Sequence, residues 1–192
     1  MKQNRIINIS MDAKGEDTLR QLVKQINSEQ KKTEEEHIRV LTTALKHYAY
    51  GDIVKAAKAD MMMGVPILCT CFIEQLATFR YGQEVGVSQF IDFVNNYLPD
   101  YDAKSLRNDL RNKLVHNYSV GETYTIIRGY KQYHLKRSKA DHKLILNIES
   151  FVEDLGCAMD KYLLELQTDG KIRCIALTAL SKFPVVYFVP GE

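Results

Sequence analysis

The chain has 192 residues, 45% of them apolar and 26% charged, with a formal net charge of +2. That is long enough to bury one sizeable core, and the balance is that of a soluble globular protein. No apolar run approaches the roughly 18 residues of a membrane span, and the opening segment is too weakly apolar for a signal peptide, so a cytoplasmic protein without a membrane role is expected.

In chain order, "EDTLRQLVKQINSEQ" carries Leu19, Leu22, Val23 and Ile26 at helical spacing. A second helix is expected from a Thr33 cap through Glu34, Glu35 and Glu36, whose charges suit a helix N-terminus. Ile38, Leu41, Leu45 and Tyr48 line one face of it. Gly51 either continues this helix or breaks it with Asp52 as a new cap, and Gly64 should end the segment before Pro66 opens the next. "PILCTCFIEQLATFRYG" is apolar almost all round and reads as the central helix of a bundle. Glu74 within it is expected to meet solvent or pair with an arginine; a polar role at an active face is the alternative.

"VSQFIDFVNNYLP" reads as a short helix with Phe90, Phe93, Val94 and Tyr97 inward, stopped by Pro99. Asp100 or Asp102 can cap the helix that follows. After Gly121 the period changes, and "ETYTIIR", "KQYHLKR" and "KLILNI" look like three short strands. "ESFVEDLGCAMDKYLLELQ" restores a helix through Phe151, Leu155, Met159, Tyr162 and Leu163, and the tail reads as a further short helix with an extended end. No repeat or linker divides the chain. The expected architecture is one mainly α domain over residues 1–192, a helical bundle with a small antiparallel β insertion at 122–148.

Four cysteines, Cys69, Cys71, Cys157 and Cys174, form no C-x-x-C pair and read as buried free thiols rather than metal ligands. No cofactor is implied. The segment from Arg128 to Lys143 holds six Lys or Arg against the single acid Asp141. It is either a solvated hairpin or a contact for a nucleic-acid backbone, with Arg128, Lys131, Lys136 and Arg137 as the RNA-binding candidates.

"SLRNDLRNKLVHNYSVGETY" poses the sharpest question. On a helical wheel Leu106, Leu110 and Leu114 make one core-facing stripe, with Asn108, Asn112 and Val115 roughly opposite. Arg111 flanks that far face on one side and His116 on the other, and Arg111 is long enough to swing towards the imidazole. An apolar Val115 among amides suggests a covered face, such as a second copy across a two-fold axis. Histidine can take or give a proton near neutrality, and arginine offers a charged planar fork to phosphate oxygens. Together they suit metal-free cleavage of an RNA phosphodiester, in which the 2′-OH attacks the adjacent phosphate. The plainer reading is that both cations simply complement the C-terminal end of a helix.

"RNKLVHNY" resembles the signature of the HEPN superfamily, Arg followed by four to six residues and His, here in the R-x4-H-x-Y form of HepT-type toxins. The resemblance spans roughly residues 41–117 and the helix from Glu149 to Gln167. It implies a homodimer with a composite groove and ribonuclease activity in which Arg111 and His116 carry catalysis and Asn112 supports them. It also implies a toxin or defence role beside a nucleotidyltransferase antitoxin, and an adenylyl acceptor at Tyr118. Two rival readings stay open. One is a non-catalytic HEPN-like module binding nucleic acid, a nucleotide or a protein partner; the other is a helical interaction domain.

Overall fold

A computed structural model describes residues 34–184. The expected helix at Leu19–Ile26, the Thr33 cap and the extended end of the tail lie outside the described residues. Within them the protein is mainly helical, with one small sheet.

Helix α1 (Glu34–Thr43) runs on through a π-helical turn, π1 (Ala44–Tyr50), into α2 (Gly51–Lys58). Gly51 therefore continues the helix, its N–H reaching the Lys46 carbonyl in the wide π spacing. The segment ends at Lys58, where the chain turns through Asp60 in a left-handed conformation, so Gly64 opens the next helix instead of closing this one.

Helix α3 (Gly64–Tyr81) is the central element, packed against the others through Val65, Cys69, Phe72, Ile73, Leu76, Ala77 and Phe79. Only Cys69 of the four cysteines is buried; Cys71, Cys157 and Cys174 are exposed, contrary to expectation. Helix α4 (Val87–Tyr97) buries the anticipated Phe90, Phe93, Val94 and Tyr97. Each fully buried phenylalanine contributes about 2–3 kcal/mol of apolar transfer. Tyr97 accepts a hydrogen bond from Arg80 Nε at 2.8 Å and donates to Glu165, tying α4 to α3 and to α7 (Ile148–Thr168). Phe151, Leu155, Met159, Tyr162 and Leu163 of α7 face the same core, and α8 (Gly170–Lys182), capped by Asp169, closes it.

The segment of interest is one continuous helical run: α5 (Ala103–Ser105), π2 (Leu106–Asn112) and α6 (Lys113–Asn117). Asp102, not Asp100, caps it, accepting from Ser105 N–H at 2.7 Å. Leu106, Leu110 and Leu114 are fully buried, as their four-residue spacing requires.

The insertion differs from its expected form. Strands β1 (Tyr124–Ile127) and β2 (Leu144–Asn147) pair in parallel, Tyr124 opposite Leu144 and Ile127 opposite Asn147, not antiparallel. "KQYHLKR" is no strand. It forms a 3₁₀ turn at Lys131–Tyr133 and meets β2 through one antiparallel bridge, Arg137 to Leu144. Left-handed conformations at Gly129, Tyr130 and Leu135 break the two-residue period there. With the middle piece wound up, residues 128–143 become the crossover that a parallel pair needs.

Candidate functional site

Arg111 is held from two elements. Its Nε lies 3.0 Å from Glu74 Oε1, its Nη2 donates to Glu74 Oε2 at 3.2 Å, and its Nη1 donates to Asn112 Oδ1 at 3.1 Å. The side chains of Arg111 and Glu74 are 25% and 23% exposed, so the pair sits at the edge of the core rather than in open solvent. Glu74 stands on the outward strip of the otherwise apolar α3, beside the exposed Cys71. Partial burial of the sulfur, reinforced by the Glu74 carboxylate and opposed by Arg111, pushes the Cys71 thiol upward.

The i→i+5 bonding of π2 slows the rotation of side chains through Leu106–Asn112, whereas α6 from Lys113 to His116 turns at the ordinary α-helical rate. Arg111 turns to Glu74, and His116, exposed on α6, makes no hydrogen bond or ion pair among the described residues. Val115 beside it is 42% exposed.

Tyr118 ends the helix in a left-handed conformation, φ 51°. Its N–H bonds to the Leu114 carbonyl at 3.1 Å, the single bond of a left-handed helix ending, and the Ser119 N–H bonds to the Lys113 carbonyl at 3.3 Å. Instead of packing under the following loop, the ring is 68% exposed.

The basic insertion is less free than its composition implies. Arg128 pairs with Asp60 and with Glu149, and Lys131 pairs with Glu153, so acids distant in the chain lie against two of the four expected RNA contacts. Arg137 donates to the His142 carbonyl at 3.0 Å, and Lys136 is exposed without an ion pair among the described residues.

No family model, curated protein or solved structure matches this chain. What the site can do is therefore read from its chemistry. A guanidinium fixed on two sides keeps its remaining N–H bonds for an anion, and an unpartnered imidazole one turn onward can exchange a proton. Sequence reasoning named Arg111, Asn112, His116 and Tyr118, and left the role of Glu74 open. It missed a cleft of about 880 Å³ on the side of the motif helix carrying Asp109 and Lys113, closed by the connector around Gly121 and by Arg137 and Lys143. Arg111, Asn112 and His116 do not line that cleft. The clue available in sequence was Lys113 itself, one turn before His116.

Proposed function

We propose that this chain is a metal-independent endoribonuclease of a toxin or defence system, working in the cytoplasm as a homodimer. His116 takes the proton of a ribose 2′-OH, whose oxygen attacks the adjacent phosphorus. The P–O5′ bond breaks, the departing 5′ oxygen is protonated, and a 2′,3′-cyclic phosphate remains. Arg111 stabilises the charge that builds on the phosphoryl oxygens in the transition state. Asn112 and Glu74 position Arg111, and Tyr118 is the accessible hydroxyl at which a nucleotidyltransferase antitoxin would silence the enzyme.

The observation that carries this reading is the pairing of a braced Arg111 with a solvent-open His116 within two turns of one helix. Val115 and Tyr118, both exposed on the same short helix end, suit a face covered by a second copy.

The rival is a non-catalytic HEPN-like module that binds nucleic acid, a nucleotide or a protein. The Arg111–Glu74 ion pair favours it, because such a pair also serves structure alone.

Incubation of a mixed RNA pool in EDTA with wild type and with His116→Ala separates the two. The nuclease reading expects cleavage by wild type alone, leaving cyclic-phosphate ends, while the variant keeps its fold and dimer. Equal cleavage by both proteins sinks it, and cleavage by neither favours the binding module.

A further inference from the structure

The cleft behind the motif helix holds an unusual set of charges. Lys113 stands on one wall, Arg137 and Lys143 on the other, and among the described residues none of the three forms an ion pair, although Asp102, Asp109 and Glu122 line the same space. Among the described residues the side chains of Arg137 and Lys143 donate to the backbone carbonyls of His142 and Gly121, and the Lys143 N–H donates to Asp141 Oδ1 at 3.2 Å. The acids are unequal. Asp102 accepts from the Ser105 N–H and Asp109 from the Thr123 hydroxyl, whereas Glu122 accepts no hydrogen bond among the described residues. The cleft thus presents three cations with spare donors beside three carboxylates, of which Glu122 alone accepts no hydrogen bond among the described residues. Its volume, about 880 Å³, lies in the range that takes a small organic ligand.

A ligand that satisfies both signs at once is a ribonucleotide. Its phosphate is an acceptor-only anion suited to Lys and Arg, and its 2′-OH is a donor suited to a carboxylate. Lys113, which lines the cleft, and His116, which does not, are neighbours three apart on α6, so a strand leaving the cleft past Lys113 comes within reach of the imidazole.

We infer that this cleft binds a nucleotide of the RNA strand flanking the cleaved bond, Lys113, Arg137 and Lys143 gripping its phosphate and Glu122 its ribose. The inference rests on the RNA reading of the site. It moves the strand from the outer edge of the insertion, where Arg128 and Lys131 already pair with acids, to its inner wall.

The test is binding of a labelled single-stranded RNA, and of the 2′-deoxy strand of the same sequence, to the full chain carrying His116→Ala, across a salt series. Adding Arg137→Gln and Lys143→Gln should weaken RNA binding at least about tenfold at low salt. The log–log salt dependence should flatten by about 0.7, the loss expected for one phosphate contact to a single strand. Glu122→Ala should leave that slope alone and narrow the preference for RNA over DNA. Lys131→Gln should change neither. Thermal melts matching the parent establish that these surface variants fold.

Unchanged affinity and slope in the Arg137/Lys143 variant, or an equal loss in Lys131→Gln, overturns the cleft while leaving the nuclease intact. RNA that binds through the cleft but is never cut by the chain with His116 restored supports the cleft and removes the catalytic reading. A chain that binds no RNA at low salt overturns both.

Discussion

A guanidinium gripped by a carboxylate on a neighbouring helix loses its rotamer freedom before any substrate arrives, and that is the condition of Arg111. Preorganised charge costs no rearrangement at the moment of reaction. Glu74→Gln keeps the shape of the side chain but removes the charge that aligns Nε and Nη2. Under the proposed ribonuclease reading, the substitution should lower kcat for RNA cleavage by about tenfold, equivalent to about 1.4 kcal/mol of transition-state stabilisation, with KM little changed. Steady-state kinetics on a defined RNA checks the split; a rise in KM at constant kcat would make Glu74 a binding group instead. Tyr118 shows the same economy at the helix end. A non-glycine residue in the left-handed region is uncommon, and here it throws an aromatic hydroxyl into solvent beside the motif.

Among elements, the decisive contact is that of the connector with the motif helix. Gly121 N–H bonds to the Asp109 carbonyl at 2.9 Å, and a Cβ at Gly121 would come 2.6 Å from Asp109 Cβ and 2.8 Å from its Cα. The obstacle is partly backbone, so no rotamer change relieves it. Gly121→Ala should destabilise the protein by about 1–3 kcal/mol, read as a fall of several degrees in Tm, and should open the cleft formed by the connector. A similar closeness joins π1 to α7. Gly156 leaves room for the Tyr50 ring, whose Cζ a Cβ would meet at 2.8 Å, and Tyr50 donates to the Val152 carbonyl at 3.1 Å.

For the molecule as a whole, the insertion is fastened to the bundle by polar contacts as well as by packing. Tyr101 donates to Asp154 Oδ2 at 2.6 Å, and its hydroxyl lies 2.9 Å from His134 Nε2. His134 Nδ1 accepts from the Asn147 N–H at 3.1 Å, and Asn147 caps α7 through Ser150 N–H. Bonding to His134, outweighing partial burial and aided by Tyr101, holds the Asp154 carboxyl below its ordinary range. Its folded pKa is thus below the unfolded value of about 4. The stabilisation is complete above about pH 4 and fades as pH falls through the folded value. Asp154→Asn should melt earlier than wild type at neutral pH, and the difference should shrink as the pH is taken below about 4. Thermal melts of both proteins across that range check it, and a gap independent of pH would assign the effect to lost packing.

The sequence by itself determined the helices and much of their orientation. Leu106, Leu110 and Leu114 had to face inward, Phe90, Phe93 and Val94 likewise, and Asp102 was a ready cap, because periodicity and capping are settled among residues a few positions apart. The spacing of Arg111, Asn112 and His116 is likewise local, within one helical run. Only the tertiary structure decided what those residues meet. Glu74 reaches Arg111, and Asp60, Glu149 and Glu153 pair with Arg128 and Lys131, through contacts between segments far apart in the chain. The parallel sheet and the cleft of Lys113, Arg137 and Lys143 arise in the same way. A charge pattern counts cations along the chain, but their freedom depends on the acids that folding brings within a few ångströms, and that distance is a property of packing alone.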